Sequence, residues 1–192
     1  MDIVIATSNQ NKIRRMEALI AAVNPEIKVG NIVSHNIPTP IEDGKSQFEN
    51  LMIKLNYYHK FLGGNIITED DIIELQVDDE FIPIININNF IGPEEDQFLG
   101  WKKYLDEHKI SGGRLVKCYG VIIDNEVKVE KVIIPLIVKS ETENPKQSEK
   151  NILNNFIGPE KIGETFVEMT KLERDSYMQT TCLPALTKLL AK

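Results

Sequence analysis

The feature that most constrains the fold is the start of the chain, where an apolar run gives way to small polar residues and then to a helical pattern. Residues 3–5 are all apolar, which predicts a buried strand. Thr7, Ser8 and Asn9 stand where that strand must turn, and Ser8 or Asn9 can cap the helix that follows. Apolar residues then recur with helical spacing at Ile13, Met16, Ile20 and Val23. The chain is therefore predicted to begin as strand, turn and helix.

Such a strand–turn–helix suits phosphate, because free backbone N–H groups and the positive end of the helix dipole point to one place. Lys12, in the first turn of the helix, adds a full positive charge beside them. Capped helices also follow strands in α/β proteins that bind no phosphate there. Other residues must therefore decide between a phosphate site and a purely structural turn.

Composition narrows the class of protein and of partner. The net charge of -7 and the lack of a broad basic face argue against a nucleic-acid duplex as the main partner. No apolar run is long enough to span a bilayer, and the start lacks the pattern of a signal peptide, so we expect a cytoplasmic protein with no membrane partner. Cys118 and Cys182 form no metal-binding or redox motif. At 192 residues the chain can bury a proper core as one domain.

The next elements alternate between strand and helix. A strand is predicted over residues 27–33, and the spacing of Ser46 and Glu49 is that of a capping box. The helix that it opens is predicted to run to about Leu62, and a strand over 65–68 to end in three acidic residues. The predicted buried side of this helix consists of Phe48, Met52, Leu55 and either Tyr58 or Leu62. Polar residues thus collect beyond strand ends, where open α/β sheets place their ligands.

Two hairpins are predicted in the second half of the chain. The first pairs residues 72–77 with 81–87, and the second pairs 114–123 with 128–139 about an Asp-Asn turn. Residues 140–150 are polar and are expected to form an exposed loop.

Two further helices are predicted around these hairpins. One covers residues 94–108, places Phe98, Trp101 and Leu105 on one face and ends before a pair of glycines at 112–113. The other opens at Thr170, which forms a second capping box with Glu173. Pro184 is expected to kink or interrupt this last helix.

Carboxylates and lysines stand at or near the ends of elements that follow strands. They are Glu42, Glu49, Glu69, Asp70, Lys12 and Lys54. Carboxylates without a His or Cys cluster favour Mg²⁺, held partly by waters and by substrate phosphates, and the lysines would neutralise those phosphates. One carboxylate could take a proton from an attacking water. Each residue also has a structural interpretation: Glu49 as a helix cap, Lys54 as a solvated side chain, and residues 69–71 as an acidic turn.

Four segments of the chain carry a resemblance to a known family. Residues 5–12 read Ile-Ala-Thr-Ser-Asn-x-x-Lys, and residues 42–54 hold a Glu, a Gly, a Glu-Asn pair and a Lys in register. Residues 68–71 read Thr-Glu-Asp-Asp, and residues 164–169 read Glu-Thr-Phe-Val-Glu-Met. In this order they resemble the motifs of the inosine triphosphate pyrophosphatase family, which hydrolyses non-canonical purine nucleoside triphosphates such as ITP, dITP and XTP.

The resemblance implies both a fold and an assembly. The fold would be α/β, elongated and two-lobed, with a long curved mixed β-sheet flanked by helices and a central cleft. Residues 1–192 would form a single domain with a hairpin lobe at about 72–139, and the protein would be a homodimer.

The resemblance also implies roles for individual residues. Asp70 would be the general base, with Glu69 and Lys54 as further catalytic residues, so that water attacks the α-phosphorus and releases a nucleoside monophosphate and pyrophosphate. No covalent intermediate is needed, since positioning and charge neutralisation carry this chemistry. The implied ligands of Mg²⁺ are Glu42, Glu69 and Asp70. The implied contacts of the nucleoside triphosphate substrate are Thr7, Ser8, Asn9, Lys12, Lys54, Trp101, Lys102 and Arg174.

The part that reads the base departs from the family pattern. The family has Glu-Lys-Asn followed by Ser-His-Arg, whereas here Arg174 replaces the lysine and Gln179 and Thr180 replace the His and Arg. Gln179 and Thr180 do not supply the charged donors of the His and Arg. The family's Gly/Phe-rich segment ending in Asp-Pro is missing at residues 151–156. Next to Trp101, either of the following lysines can replace one that the family places beside its Trp.

Three functions are compatible with this pattern. The first is hydrolysis of nucleoside triphosphates with altered base recognition. The alternative is a catalytically weak or inactive nucleotide-binding or interaction protein on the same fold, and a third, weaker option is a hydrolase of another phosphorylated metabolite. The joint presence of Glu42, Lys54, Glu69 and Asp70 favours the enzyme, because a pure binding role does not require all of them.

Overall fold

The first elements of the chain alternate between strand and helix, and strand pairs follow them, as the sequence predicts. The computed structural model describes residues 1–35, 37–84, 97–110, 112–142, 146 and 151–191. Its helices are α1 (Gln10–Val23), α2 (Gln47–Leu62), α3 (Gln97–Glu107) and α4 (Lys171–Leu190), with 3₁₀ turns at Ile32–His35 and Ile152–Asn155. Its strands are β1 (Asp2–Ile5), β2 (Lys28–Asn31), β3 (Ile66–Val77), β4 (Glu80–Pro83), β5 (Gly112–Ile123), β6 (Glu126–Val138) and β7 (Ile157–Pro159).

The described strands form one mixed sheet in the order β2-β1-β3-β5-β6-β7, with β4 paired to β3. β1 pairs in parallel with both β2 and β3, whereas β4 runs antiparallel to β3 and β7 antiparallel to β6. A mixed sheet with flanking helices confirms the predicted α/β class. The chain divides into two compact units, and β3, β5 and β6 contribute residues to both.

Unit 1 comprises Met1–Asp71, Lys117–Val132 and Asp175–Lys192. In its core, α1 and α4 bury apolar faces with residues from β1, β3 and β5. The buried residues of α1 recur every three or four positions, as an amphipathic helix requires, and are Ile13, Met16, Leu19 and Ile20. Those of α4 are Cys182, Ala185, Leu186, Leu189 and Leu190. From the sequence, Pro184 is expected to kink or interrupt this helix. It does not interrupt it, because α4 continues through Pro184 to Leu190.

Unit 2 comprises Ile72–Val116 and Ile133–Arg174. Its β3–β4 hairpin turns at Asp78, which has the positive φ of 52° that the turn requires. In α3, Trp101 and Leu105 are buried and the ring of Phe98 lies 4.9 Å from that of Phe156. Residues 94–96 of the predicted helix and 85–87 of the predicted strand lie outside the described residues.

Three sequence expectations differ from the structure, the first of them only in part. The buried side of α2 consists of Leu51, Leu55 and Tyr58, whereas Phe48 is 53% exposed. The two strands predicted on either side of the acidic residues are one continuous strand, β3, so the residues at 69–71 do not form a turn. Gly112 and Gly113 start β5, and α3 ends earlier, at Glu107.

Candidate active site

The turn between β1 and α1 is organised by its own side chains. Asn9 is the N-cap of α1, and its Oδ1 accepts hydrogen bonds from the backbone N–H of Asn11 at 3.0 Å and of Lys12 at 3.4 Å. The backbone N–H of Asn9 donates to Thr7 Oγ1 at 3.3 Å. Ser8 is exposed. These contacts fix the start of α1 and set Lys12 on its first turn.

The acidic part of β3 lies alongside this turn. The backbone N–H of Ala6 donates to Ile67 O at 2.8 Å, and the buried Thr68 Oγ1 donates to Ala6 O at 2.8 Å. Because β3 continues past Thr68 as a regular strand, the next side chains point alternately to its two faces. Glu69 and Asp71 therefore share one face, and Asp70 occupies the other.

The face that carries Glu69 and Asp71 holds a buried charge cluster. Arg15 of α1 is hydrogen-bonded to Glu69 Oε1, and Lys12 Nζ lies 2.7 Å from Asp71 Oδ1. Lys117 of β5 completes the cluster, with Nζ 3.1 Å from Asp71 Oδ2 and 3.8 Å from Glu69 Oε2. Exposed fractions are 1% for the Glu69 side chain and 0% for that of Lys117.

The pKa values in this cluster follow from its charges. Burial opposes ionisation of Asp71, but the positive charges of Lys117 and Lys12 outweigh it and hold the pKa of Asp71 well below its ordinary value. Burial likewise opposes the charge on Arg15, and the neighbouring Glu69 outweighs it, so the pKa of Arg15 is raised. Burial, followed by the charge of Glu69, raises the pKa of Tyr119. The charged forms of Asp71 and Arg15 are therefore stable at neutral pH.

The opposite face of β3 carries a second group, in which a lysine joins two carboxylates. Lys54 Nζ of α2 lies 2.8 Å from Asp70 Oδ1 and 2.8 Å from Glu42 Oε2. Burial opposes the charge on Lys54, but hydrogen bonds to Asp70 and then Glu42 outweigh it and raise its pKa. Gln47 Nε2 donates to the backbone oxygen of Asp70 at 2.9 Å, and the thiol of Cys118 donates to Gln47 Oε1 at 3.2 Å.

The predicted Mg²⁺ ligands do not all come together. Glu42 and Asp70 face a common position, which the Lys54 ammonium occupies as a cation. Glu69 lies on the other face of β3, where Arg15 and Lys117 contact its oxygens. Among the described residues no group of three or more His, Cys, Asp or Glu could hold a metal ion. One or two carboxylates with waters and substrate phosphates is the usual Mg²⁺ arrangement, so Glu42 and Asp70 fit it and Glu69 does not.

Three residues predicted to contact substrate belong to unit 2. Trp101 is fully buried in α3, and Lys102 beside it is half-buried. Arg174 lies in the first turn of α4, and its backbone N–H donates to Thr170 O at 3.1 Å. The other predicted contacts, at residues 7–12 and 54, belong to unit 1. The part that Trp101, Lys102 and Arg174 play in a site remains a prediction.

Sequence reasoning missed three members of the buried charge cluster, namely Arg15, Asp71 and Lys117. A signal existed for Lys117, because a lysine inside the apolar run of β5 must find a counter-ion when the strand is buried. Arg15 follows Lys12 by three positions and so shares its helix face. Asp71 cannot be identified when residues 69–71 are interpreted as an acidic turn, because only a strand places Glu69 and Asp71 on the same face.

Comparison with known proteins assigns the chain to a family. A family model described as the Ham1 family matches residues 3–181. The chain belongs to the Ham1 family. This confirms the resemblance seen in the sequence, since the proteins similar to this chain include proteins named dITP/XTP pyrophosphatase.

Individual Ham1 relatives agree with this assignment. The chain is 33% identical over 73 residues to a dITP/XTP pyrophosphatase of Dictyoglomus thermophilum, a match that spans 38% of this chain and only 36% of that protein. A HAM1 protein from Coxiella burnetii superposes with a TM-score of 0.78 at 14% identity, covering 99% of this chain and 98% of that one. The Ham1 protein of Staphylococcus aureus gives a TM-score of 0.68 at 17% identity, covering 94% and 97%. At these identities the structural matches establish the Ham1 fold.

No helix in the described part of this Ham1 chain is both long and apolar enough to cross a membrane.

Proposed function

We propose that this Ham1 chain hydrolyses nucleoside triphosphates to a nucleoside monophosphate and pyrophosphate, with Mg²⁺ as cofactor and with altered base recognition. The observation that carries the proposal is the group on one face of β3, in which Lys54 joins Asp70 to Glu42. A mostly buried lysine between two carboxylates provides both the anion-binding and the proton-accepting groups that the reaction needs.

Each residue has a definite task in this mechanism. Lys12 and Lys54 bind and neutralise the triphosphate, together with the turn of Thr7, Ser8 and Asn9. The raised pKa of Lys54 keeps its ammonium charged throughout the neutral range. Asp70 accepts the proton of a water that attacks the α-phosphorus, the bond between the α-phosphorus and the bridging oxygen breaks, and pyrophosphate leaves.

Mg²⁺ would be held by Glu42 and Asp70, and when bound it supplies charge stabilisation for the phosphate oxygens. The position of the Lys54 ammonium, 2.8 Å from each of the two carboxylates, supports this proposal, because they already have a cation as their shared partner. With Mg²⁺ at that position, the Lys54 ammonium would contact the substrate phosphates instead, so that its positive charge still has a negative partner. Glu69 is assigned to the buried charge cluster and helps to hold Arg15 rather than the metal.

Base recognition is proposed to differ from that of the inosine triphosphate pyrophosphatases. Arg174 keeps a positive charge at its position, whereas Gln179 and Thr180 offer only neutral donors and acceptors. Trp101 and Lys102 are proposed as substrate contacts from the family resemblance alone. A homodimer is proposed from the family resemblance, and a cytoplasmic location is proposed as well. Sedimentation of the purified chain tests its oligomeric state.

The decisive experiment measures pyrophosphate release from a panel that contains ITP, XTP, dITP and the four common ribonucleoside triphosphates. Wild type is compared with Asp70→Asn and with Asp106→Asn, an exposed carboxylate of α3 that serves as the matched control. Turnover that requires Mg²⁺, stops with a chelator, is lost in Asp70→Asn and persists in Asp106→Asn supports the proposal. Binding of triphosphates without turnover would favour the nucleotide-binding alternative instead.

A further inference from the structure

The buried charge cluster holds more positive than negative charge. Among the described residues it contains the cations Lys12, Arg15 and Lys117 and the carboxylates Glu69 and Asp71. Without Lys117 the positive and negative charges would be equal in number. The proposed hydrolysis uses Lys12 directly and assigns nothing to Lys117.

Lys117 is an unusual residue for its place in the fold. Its side chain is fully buried in β5, where an unpaired ammonium would be very costly. Its Nζ contacts Asp71 at 3.1 Å, and it lies 5.8 Å from the centre of the Tyr119 ring, within the range of a cation–π contact. An apolar side chain would fill such a site without the desolvation cost of a buried charge. We therefore expect the charge of Lys117 to have a function.

The charge of Lys117 affects Lys12 through the carboxylates that the two lysines share. Asp71 is shared, with Oδ1 on Lys12 and Oδ2 on Lys117. Glu69 Oε2 is buried without a hydrogen-bond partner among the described residues, and Lys117 at 3.8 Å is its counter-ion there. Lys117 thus offsets negative charge that would otherwise fall to Lys12 and Arg15. Lys12, whose side chain is 18% exposed, keeps N–H donors and net positive charge for an incoming anion.

We propose that Lys117 is a positioning residue for the polyphosphate of the substrate: it neutralises Asp71 and Glu69 from inside the fold, and so leaves Lys12 with an uncompensated positive charge. This inference rests on the proposed function only for the identity of the anion. It requires that polyphosphate affinity follow the net charge of the cluster, whichever residue is changed.

The test is calorimetric titration with inorganic tripolyphosphate in the absence of Mg²⁺, which needs no turnover. Lys117→Met removes one positive charge from the cluster. Because that charge lies near the proposed anion at a partly buried site, we expect binding to weaken about tenfold. Asp71→Asn removes one negative charge, keeps a hydrogen-bond acceptor for Lys12 and is expected to tighten binding. The double variant has the net charge of wild type and is expected to restore wild-type affinity.

Control variants separate this charge effect from a structural one. Lys188→Met makes the same change in total charge at an exposed ion pair with Glu130, and we expect unchanged affinity. Circular dichroism and thermal melting establish that each variant is folded. If Lys117→Met does not fold, Asp71→Asn alone tests the same statement from the opposite direction.

The outcomes separate the inference from the proposed function. Weaker binding in both single variants, unchanged binding in Asp71→Asn, or no rescue in the double variant would overturn the role of Lys117. So would the absence of tripolyphosphate binding by wild type. A wild type that binds tripolyphosphate in the predicted charge order but releases no pyrophosphate from any nucleotide would overturn the hydrolase and leave the inference standing.

Discussion

Glu69 and Asp70 are adjacent in the chain, but their carboxylates pair with different helices on opposite faces of β3. Glu69 is hydrogen-bonded to Arg15 of α1, and Asp70 Oδ1 lies 2.8 Å from Lys54 of α2. The cause is the two-residue period of a strand. We therefore expect the two carboxylates to have separate tasks, Glu69 within the buried charge cluster and Asp70 as the proposed general base.

This separation predicts different consequences for the two amide variants. Asp70→Asn is expected to lower kcat by about 10²–10⁴, the usual effect of losing a general base, with little change in stability. Glu69→Gln is expected to lower the free energy of unfolding by about 3 kcal/mol, because Arg15 and Lys117 lose a buried partner. Steady-state kinetics and urea unfolding of both variants check this. Equal loss of kcat at unchanged stability in Glu69→Gln would contradict the division of tasks.

Acid is expected to destabilise the protein through Asp71. Its pKa is lower when folded than when unfolded, so its contribution to stability is present above the ordinary carboxyl range. That contribution is lost as the pH falls toward the folded pKa, beginning below about pH 4. Urea unfolding at a series of pH values measures the slope, which is expected to be shallower in Asp71→Asn. An identical slope in wild type and variant would show that other groups cause the acid sensitivity.

Gln47 is expected to support catalysis by holding the backbone of Asp70. Its Nε2 donates to Asp70 O at 2.9 Å, and its Oε1 accepts from Cys118. Gln47→Leu removes both bonds and is expected to lower kcat several-fold, about 1 kcal/mol of positioning, while KM changes little. Gln97→Leu is the matched control, since Gln97 is also the first residue of a helix and is exposed. An equal effect of the two variants would argue against this role of Gln47.

Gly158 of β7 is predicted to be intolerant of any side chain. A Cβ at this position would collide with the backbone oxygen of Glu164, and Phe166 N–H donates to the neighbouring Ile157 O at 2.7 Å. Gly158→Ala must therefore displace backbone, and we expect a loss of at least about 2 kcal/mol in the free energy of unfolding. At Gly30 of β2 a Cβ would lie 3.8 Å from Val4, an ordinary contact. Gly30→Ala is thus the control, expected to leave the melting temperature nearly unchanged.

Local signals predicted much of the fold correctly because they act over a few residues. Ser46 caps α2 by accepting from Glu49 N–H at 3.2 Å, and Thr170 accepts from Glu173 N–H at 3.2 Å, as the capping boxes indicate. The second hairpin turns at Asp124 and Asn125, both with positive φ, which is the conformation that Asp and Asn tolerate best. The family resemblance likewise needed only short segments in order, and the Ham1 match over residues 3–181 confirms it.

By itself, the sequence determined the order of most elements, the helix caps, the hairpin turns, the α/β class and the family. Only the tertiary structure decided that the acidic residues lie within β3, because a polar segment becomes strand or turn according to the backbone partners beside it. That arrangement placed Glu69 and Asp70 on opposite faces, so that Glu69 lies apart from Asp70 and Lys54. It also brought Lys117, from a distant strand, to Asp71. Ion pairs between residues far apart in the chain depend on packing, which no local pattern records.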